Sequence, residues 1–478
     1  MNKIFSSLLL AVVCMGCSDI LVEKPKSLAS ENFYNTSAEA KAAVNAIYGP
    51  MRGDNALATN YPAQLEGMAD YGNSRGTQTP VSLYQGLDNT NINRVGVIWD
   101  NFYQSIRNAN LVISNVPKGT SMTDAEKVQY VAEAKYLRSL IYFAMVRNWA
   151  GVPLRTEENM TVSDVPRANV ADVYKLILSD ALEAESGLPD TPAEIGRPTK
   201  WAAKTLLSEV YLYQEQWEQS RAKAKEVIDS KKYSLVPVTI SEDFQKIYGP
   251  EVVNTSEEVF YFKYSRQQGF GLVSYAHRKI GPYNYYGPGG VYAQYTDSVS
   301  NSVIKNWDFK DLRKNHILYN VDIGLGKTSC LYRKYRDPAA TAGAANDYPW
   351  YRYADVLLFH AEADARAKGA PTAEGIESLN KVHRRAYGKP ADAVSAVDFK
   401  LSDFTLKTFI DKVVEERGYE TMYEGKRWND LKRLGIAKQR ILEVKNIVVA
   451  DKHMLWPIPN SEILYNKAIT AKDQNPGY

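Results

Sequence analysis

The chain has 478 residues, with 58 Lys and Arg against 55 Asp and Glu and a formal net charge of +3. Charged residues at 24% and hydrophobic ones at 45% exclude disordered and collagen-like architectures, and the near balance of charge excludes the electrostatic footprint of a nucleic-acid binder. Tyrosine is the skewed quantity, 33 residues against 13 Phe and 8 Trp; its flat apolar ring and polar tip suit surfaces where protein meets water or a ligand.

Lys3 precedes an apolar run from Ile4 to Met15, broken only by Ser6 and Ser7. The run falls short of the ~20 apolar residues that span a bilayer and suits a signal peptide over residues 1–16. Gly16-Cys17 resembles the bacterial lipobox, in which the signal is cut before a cysteine that then receives lipid. Cys14 stands where that pattern usually has Leu. On this reading Cys17 is the lipidated residue, Cys14 leaves with the signal, and Cys330 remains a lone thiol, so core packing replaces disulfides. No later segment has 18 consecutive apolar residues, which predicts a protein anchored to a membrane and not spanning it.

Residues 17–35 form a tether. A helix is predicted over Thr36–Met51, capped by Thr36 or Ser37 and stopped at Gly49-Pro50. Residues 54–94 have no sustained period and read as a long loop, a feature that is often functional. Helices follow over Trp99–Val116, Asp124–Trp149 (with Tyr130, Ala134, Leu137, Ile141, Ala144 and Met145 on one face), Val170–Ser186, Thr199–Glu215 and Trp217–Ser230. In the last pair, Leu207, Ser208 and Tyr211, then Ala222 and Ala224, have the large-small-aromatic pattern of a degenerate tetratricopeptide hairpin. The middle carries a short strand at Val259–Tyr264 amid Gly and Pro. Helices resume at Tyr353–Lys368, Gly375–Tyr387 and Leu406–Leu434, dividing the chain into a helical region over 36–235 and a second over 236–478.

Several ordered motifs resemble the SusD/RagB family of outer-membrane nutrient-binding lipoproteins of the Bacteroidetes. They are Cys17-Ser18-Asp19-Ile20-Leu21 with Pro25; Glu133-Ala134-x-Tyr136-Leu137-Arg138 through Val152-Pro153-Leu154; and Gly196-Arg197-Pro198-Thr199-Lys200-x-Ala202-Ala203. In the second half they are Arg352-Tyr353-Ala354-Asp355-Val356-Leu357-Leu358; Ala361-Glu362-Ala363; Glu416-Arg417-x2-Glu420-x3-Glu424-Gly425-x-Arg427-Trp428-x-Asp430-Leu431; Pro457-Ile458-Pro459-x-Ser461-Glu462; and Gln474-Asn475-Pro476-Gly477-Tyr478. The resemblance implies a mostly α fold of tetratricopeptide-like hairpins with a loop-rich ligand face. It also implies no enzymatic activity, no cofactor, an anchored position on the outer membrane facing outward in the family manner, and a SusC-like TonB-dependent transporter as partner. Ligands of such proteins are chiefly oligosaccharides and polysaccharides, with peptides in some branches.

The residues themselves leave little room for other chemistry. The charges at Glu416, Arg417, Glu420, Glu424 and Arg427 recur every three, four or seven positions, which predicts ion pairs along one helix and not acid–base catalysis. His277, His316, His360, His383 and His453 are scattered, and no second cysteine accompanies Cys330, so no metal site is expected. His360-x-Glu362 lacks the Pro-Cys-x-x-Cys of a zinc deaminase, and Gly326-Lys327-Thr328 has Val321 where a phosphate loop needs its first glycine. Counting leaves a two-carboxylate glycosidase open. What remains are aromatic residues in loops. A sugar offers a C–H face to a ring and hydroxyls to planar polar partners. Tyr71, Asn73, Arg75 and Tyr84 in the first loop, Tyr283, Asn284, Tyr285, Tyr286 and Tyr292 in the second, and Trp350 are the candidate contacts; the alternative is that these rings pack loops onto the helices.

Overall fold

The computed structural model describes residues 33–86, 89–267, 271–272, 282–287, 294–341 and 343–478; the predicted signal, Cys17, nearly all of the tether and Tyr292 lie outside them. Helix α1 (Ser37–Arg52) opens with a capping box: Thr36 accepts from the Glu39 N–H, and the Glu39 carboxylate accepts from the Thr36 N–H at 2.9 Å. The predicted stop at Gly49-Pro50 is overturned, because the helix continues to Arg52. Proline has no N–H to offer the Ala46 carbonyl, and Asn108 Nδ2 donates to that oxygen instead at 2.7 Å, so the helix loses little by keeping the ring in its last turn.

The predicted loop over 54–94 holds α2 (Asn60–Gly67), a two-residue strand β1 (Asn73–Ser74) and the start of α3 (Asn89–Asn115), which begins well before Trp99. The Asn-rich first turns hide that start, but Val95, Ile98, Trp99, Phe102, Ile106 and Ala109 keep helical spacing and are all buried. Helices α4 (Asp124–Trp149), α5 (Val170–Gly187), α6 (Lys200–Tyr213) and α7 (Trp217–Asp229) form where expected. α4 differs in having no single apolar face: every residue from Tyr136 to Val146 is buried, since α3 and α5 pack on it from different sides. Arg138 explains how a charge survives there. Its Nε and Nη2 grip Asp180 of α5 at 2.7 and 2.8 Å, and Nη1 reaches Asn110 of α3 at 2.7 Å, so one side chain joins three helices.

The α6–α7 hairpin closes on two small residues. Ser208 Oγ donates to the Ser220 carbonyl at 2.9 Å and Ser220 Oγ returns a bond to the Ser208 carbonyl at 2.8 Å. Ala224 is buried in this crossing, whereas Ala222 faces solvent and takes no part. Farther on come α8 (Leu312–Ile317), α9 (Tyr353–Lys368), α10 (Ala373–Ala386), α11 (Leu406–Glu420), α12 (Arg427–Arg433) and α13 (Ala437–Lys445). Packing runs from neighbour to neighbour: α3 on α4, α4 on α5, α5 on α6, α6 on α7, then α9 on α7 and α10 on α9. This mostly helical stack of hairpins is the predicted fold class.

The predicted strand appears as β2 (Glu258–Phe262), paired antiparallel with an unexpected β6 (Tyr348–Arg352). A second sheet, in the order β1-β3-β5-β4, is built from β3 (Gln294–Asp297), β4 (Leu318–Asn320) and β5 (Ser329–Tyr332).

The predicted helix over Leu406–Leu434 is two. After Glu420 the chain turns through Tyr423 (φ 66°) and Gly425 (φ 70°) before Arg427 starts α12. Gly425 suits this turn twice over: its φ is positive, and a Cβ there would lie 3.1 Å from the Tyr348 hydroxyl and 3.2 Å from Pro62 Cα. The expected ion pairs along the helix are likewise replaced by pairs across the fold. Glu416 takes Arg313 at 2.6 Å; Glu420 takes Arg352 and Arg385, each at 2.6 Å; Glu424 takes Lys334 at 2.5 Å and Arg352 at 2.7 Å. Arg417 holds Asp355 and Asp430. All of these side chains are buried, so the motif is the charged centre of the C-terminal half. Residues near position 475 close the other end: Asn475 Nδ2 donates to the carbonyls of Trp149 at 3.1 Å and Trp456 at 2.6 Å, and Trp149 Nε1 donates to the Pro457 carbonyl at 2.9 Å.

Candidate ligand-binding face

The four-stranded sheet gathers residues that the sequence keeps far apart. β1 lies against β3 with Asn73 opposite Tyr295, and β4 lies against β5 with Tyr319 opposite Leu331. Tyr319, Ile323 and Leu331 form a small apolar cluster of their own, and Tyr283, Tyr285 and Tyr295 pack on it half-buried. The loop thus rests one side of its rings on the sheet and keeps the rest toward solvent. Tyr283 and Tyr285 stack with centroids 5.7 Å apart and planes 26° apart, and each ring centroid lies 5.0 Å from that of Tyr319. Asn284, between them, is exposed.

Two arginines flank the rings. Arg333 Nη1 donates to the Tyr285 hydroxyl at 2.6 Å, and the guanidinium carbons of Arg333 and Arg336 lie 5.0 and 5.4 Å from the Tyr285 centroid. Arg75, from the first loop, donates through Nη1 to the Ile323 carbonyl at 3.2 Å and so ties that loop to the same patch. Burial, with the Tyr285 hydroxyl as a second cause, holds the Tyr319 phenol far above its ordinary range, so it stays a neutral donor. The arrangement offers stacked aromatic faces, planar guanidinium groups and an exposed amide: apolar contact for C–H surfaces beside fixed donors for hydroxyl or carboxyl oxygens.

Of the predicted contacts, Asn73, Arg75, Tyr283 and Tyr285 are therefore brought to one face. Four others are core residues. Tyr71 is buried with its hydroxyl donating to Glu66 at 2.8 Å; burial pushes that carboxyl up to about 7. Tyr84 is buried against Trp428 and His453, and its hydroxyl donates to the Met68 carbonyl. Tyr286 is 1% exposed and donates to the Leu272 carbonyl. Trp350 lies in β6 and stacks on Tyr61 at 6.2 Å. These four rings have no free face, so the packing alternative is the one the structure supports for them. Tyr295, Tyr319, Arg333 and Arg336 were missed; reading Leu318–Asn320 and Ser329–Tyr332 as paired strands would have pointed to Tyr319 and the adjacent Arg333, whereas Tyr295 lies in β3. A groove of about 750 Å³ also runs between α11 and α13; charged residues such as Lys407, Asp411, Glu415 and Arg440 line it, together with Tyr419, whose ring is stacked on Trp307 at 4.4 Å.

A stack of helical hairpins that carries an arginine-flanked aromatic patch on sheet and loops is a scaffold with a binding face. The comparisons place it more narrowly. Residues 23–212 match a SusD-like family described as starch-binding and associating with the outer membrane, and residues 260–478 match the SusD family. SusD-like protein P2 of Formosa agariphila is 26% identical over 98% of both chains. A SusD homologue from Bacteroides thetaiotaomicron superposes with a TM-score of 0.80 at 21% identity, over 94% of this chain and 98% of the other. A structure described as a laminarin-binding SusD-like protein does so with a TM-score of 0.74 at 23% identity, over 93% and 100%. The chain belongs to the SusD/RagB family.

Proposed function

We propose that the protein is a cell-surface lipoprotein that captures an oligosaccharide or polysaccharide on the Tyr283–Tyr285–Arg333 patch and passes it, chemically unaltered, to a SusC-like TonB-dependent transporter. The observation that carries this is the stacking of two half-buried tyrosines beside two guanidinium planes on a rigid sheet, since a pyranose ring presents C–H groups on its face and hydroxyls around its edge. The laminarin-binding neighbour shares the fold and so lends the reading support. Lipid attached to Cys17 would hold the body at the membrane, and no helix among the described residues is long and apolar enough to cross one.

Native electrophoresis through gels containing single polysaccharides tests the proposal. Retardation by at least one glycan, abolished in Tyr285→Ala, is expected, with no oligosaccharide released on prolonged incubation. Absence of retardation across a broad panel, together with oligopeptides co-purifying with the transporter complex, would move the reading to peptide capture by the same scaffold.

A further inference from the structure

The α9–α10 hairpin carries a second cluster, made of residues that take no part in the aromatic patch. His360 and Asp364 stand one turn apart on α9, and Glu374 lies in the first turn of α10. One ligand atom from each comes within 4.8 Å of the others. A search for pairs of histidines passes over this set, because only one of its members is a histidine.

Two features set it apart from an ordinary surface cluster. His360 is 3% exposed, its Nδ1 lies 2.9 Å from Ser378 Oγ, and its Nε2 is buried with no hydrogen-bond partner. A buried imidazole nitrogen left unsatisfied is costly, and an outer hydrogen bond on Nδ1 that leaves the Nε2 lone pair free is the usual arrangement behind a metal-bound histidine. The approach of the two helices is also specific. Gly375 admits the α10 terminus so closely that a Cβ there would stand 2.9 Å from Asp364 Oδ2.

We propose that His360 Nε2, Asp364 and Glu374 form a binding site for one borderline transition cation of the Zn²⁺ class, with water completing the coordination. One nitrogen and two carboxylates suit that class better than Ca²⁺ or Mg²⁺, which favour all-oxygen shells. Tetrahedral zinc sets its ligand atoms roughly 3.4 Å apart, so the cluster must contract. Glu374 is exposed, and its inward swing would trade its contacts with Arg221 and Lys225 for the metal. Opposing this are Arg221, whose Nε donates to Asp364 Oδ1 at 2.8 Å and whose Nη2 stands 3.7 Å from Glu374, and Lys225, 3.9 Å from Glu374. Thr372 also donates to Asp364. These cations cap the affinity at a moderate level and mark the site as one that loads when the metal is abundant.

Calorimetric titration of chelator-treated protein with ZnCl2, read beside thermal melting, tests the site. One equivalent should bind in the micromolar range and raise the melting temperature. Glu374→Gln, at an exposed position, should weaken binding about tenfold without changing the melting of the metal-free protein. His360→Gln should abolish binding, with circular dichroism confirming the fold. Arg221→Gln should tighten binding several-fold by removing the competing charge, an effect that a purely structural ion pair would not produce. Lack of binding up to 1 mM, or binding unchanged in Glu374→Gln and His360→Gln, would overturn the assignment.

Discussion

Arg427 and Asp70 lie 357 positions apart and meet in a two-point ion pair, Nε to Oδ1 at 3.0 Å and Nη2 to Oδ2 at 2.7 Å, with both residues buried. Arg440 adds a third bond to Asp70 at 3.0 Å. The first loop region is thereby fastened to the start of α12. The Glu66 carboxylate does the same for the turn, accepting from the Gly425 N–H at 2.6 Å. Asp70→Ala should therefore destabilise the protein by about 3–5 kcal/mol, because it strands a buried guanidinium. Urea unfolding followed by circular dichroism at pH 7 measures it, and a loss below 1 kcal/mol, within the range of an exposed pair, would contradict this role.

Charge reversal at Glu420 should be more severe for folding and neutral for ligand capture. Three arginines, Arg313, Arg352 and Arg385, converge on this carboxylate. A lysine there would add a fourth cation to the cluster. Yield of folded Glu420→Lys should fall sharply, while gel retardation per folded molecule stays at the wild-type value.

The same cluster sets an acid limit. Burial alone would raise the Glu416 carboxyl, but Arg313 and then His383 outweigh it and hold the group at about 2. Burial would raise Glu420 too, and Arg385, Arg352 and Arg313 hold it well below the usual carboxylate range. Both groups are lowered on folding, so their stabilisation is complete above the unfolded value near 4.5 and is lost as the pH falls toward 2. Urea midpoints should drop steeply through that window. Glu416→Gln should show a shallower drop than wild type, and identical slopes would refute the linkage.

Substitutions of the aromatic residues should separate into two classes. Trp350→Ala empties a site in the core and should cost about 3–5 kcal/mol without altering retardation of the molecules that fold. Tyr283→Ala and Tyr285→Ala, at half-buried positions, should do the reverse: melting within a few degrees of wild type and loss of retardation. Equal effects of both classes on retardation would dissolve the distinction.

Cys330 and Cys17 should differ in chemistry. Burial pushes the Cys330 thiol up to about 11, and the residue is 1% exposed. It should ignore Ellman's reagent in native buffer and react stoichiometrically once urea unfolds the chain. Cys17→Ser should block incorporation of labelled fatty acid and release the protein from the membrane fraction; continued labelling would move the anchor elsewhere.

How much of this was legible beforehand depended on whether a signal was local. Thr36 with Glu39 and Thr123 with Glu126 announce helix starts, and both capping boxes form. The break after Glu420 was not legible, because it is enforced from outside by Arg352, Lys334 and Pro62, residues far away in sequence. β6 hid behind Pro349, and β1 is too short to show an alternation. The tyrosines misled for a physical reason. A phenol in a Gly-rich loop looks the same in sequence whether it faces solvent, as Tyr285 partly does, or sends its hydroxyl to a buried carbonyl, as Tyr84 and Tyr286 do.

The bonds from Asn475 to Trp149 and Trp456 also constrain when this molecule takes shape. Arg167 Nη2 already donates to the Trp149 carbonyl at 2.6 Å, but the clasp that Asn475 makes between that oxygen and the Trp456 carbonyl forms only once residue 475 is made, so a nascent chain of even 400 residues lacks it. For a polypeptide whose first residues resemble an export leader, that delay is useful. Were that leader to direct export, the late clasp would favour a thread still loose enough to pass a translocation channel, with closure deferred to the far side.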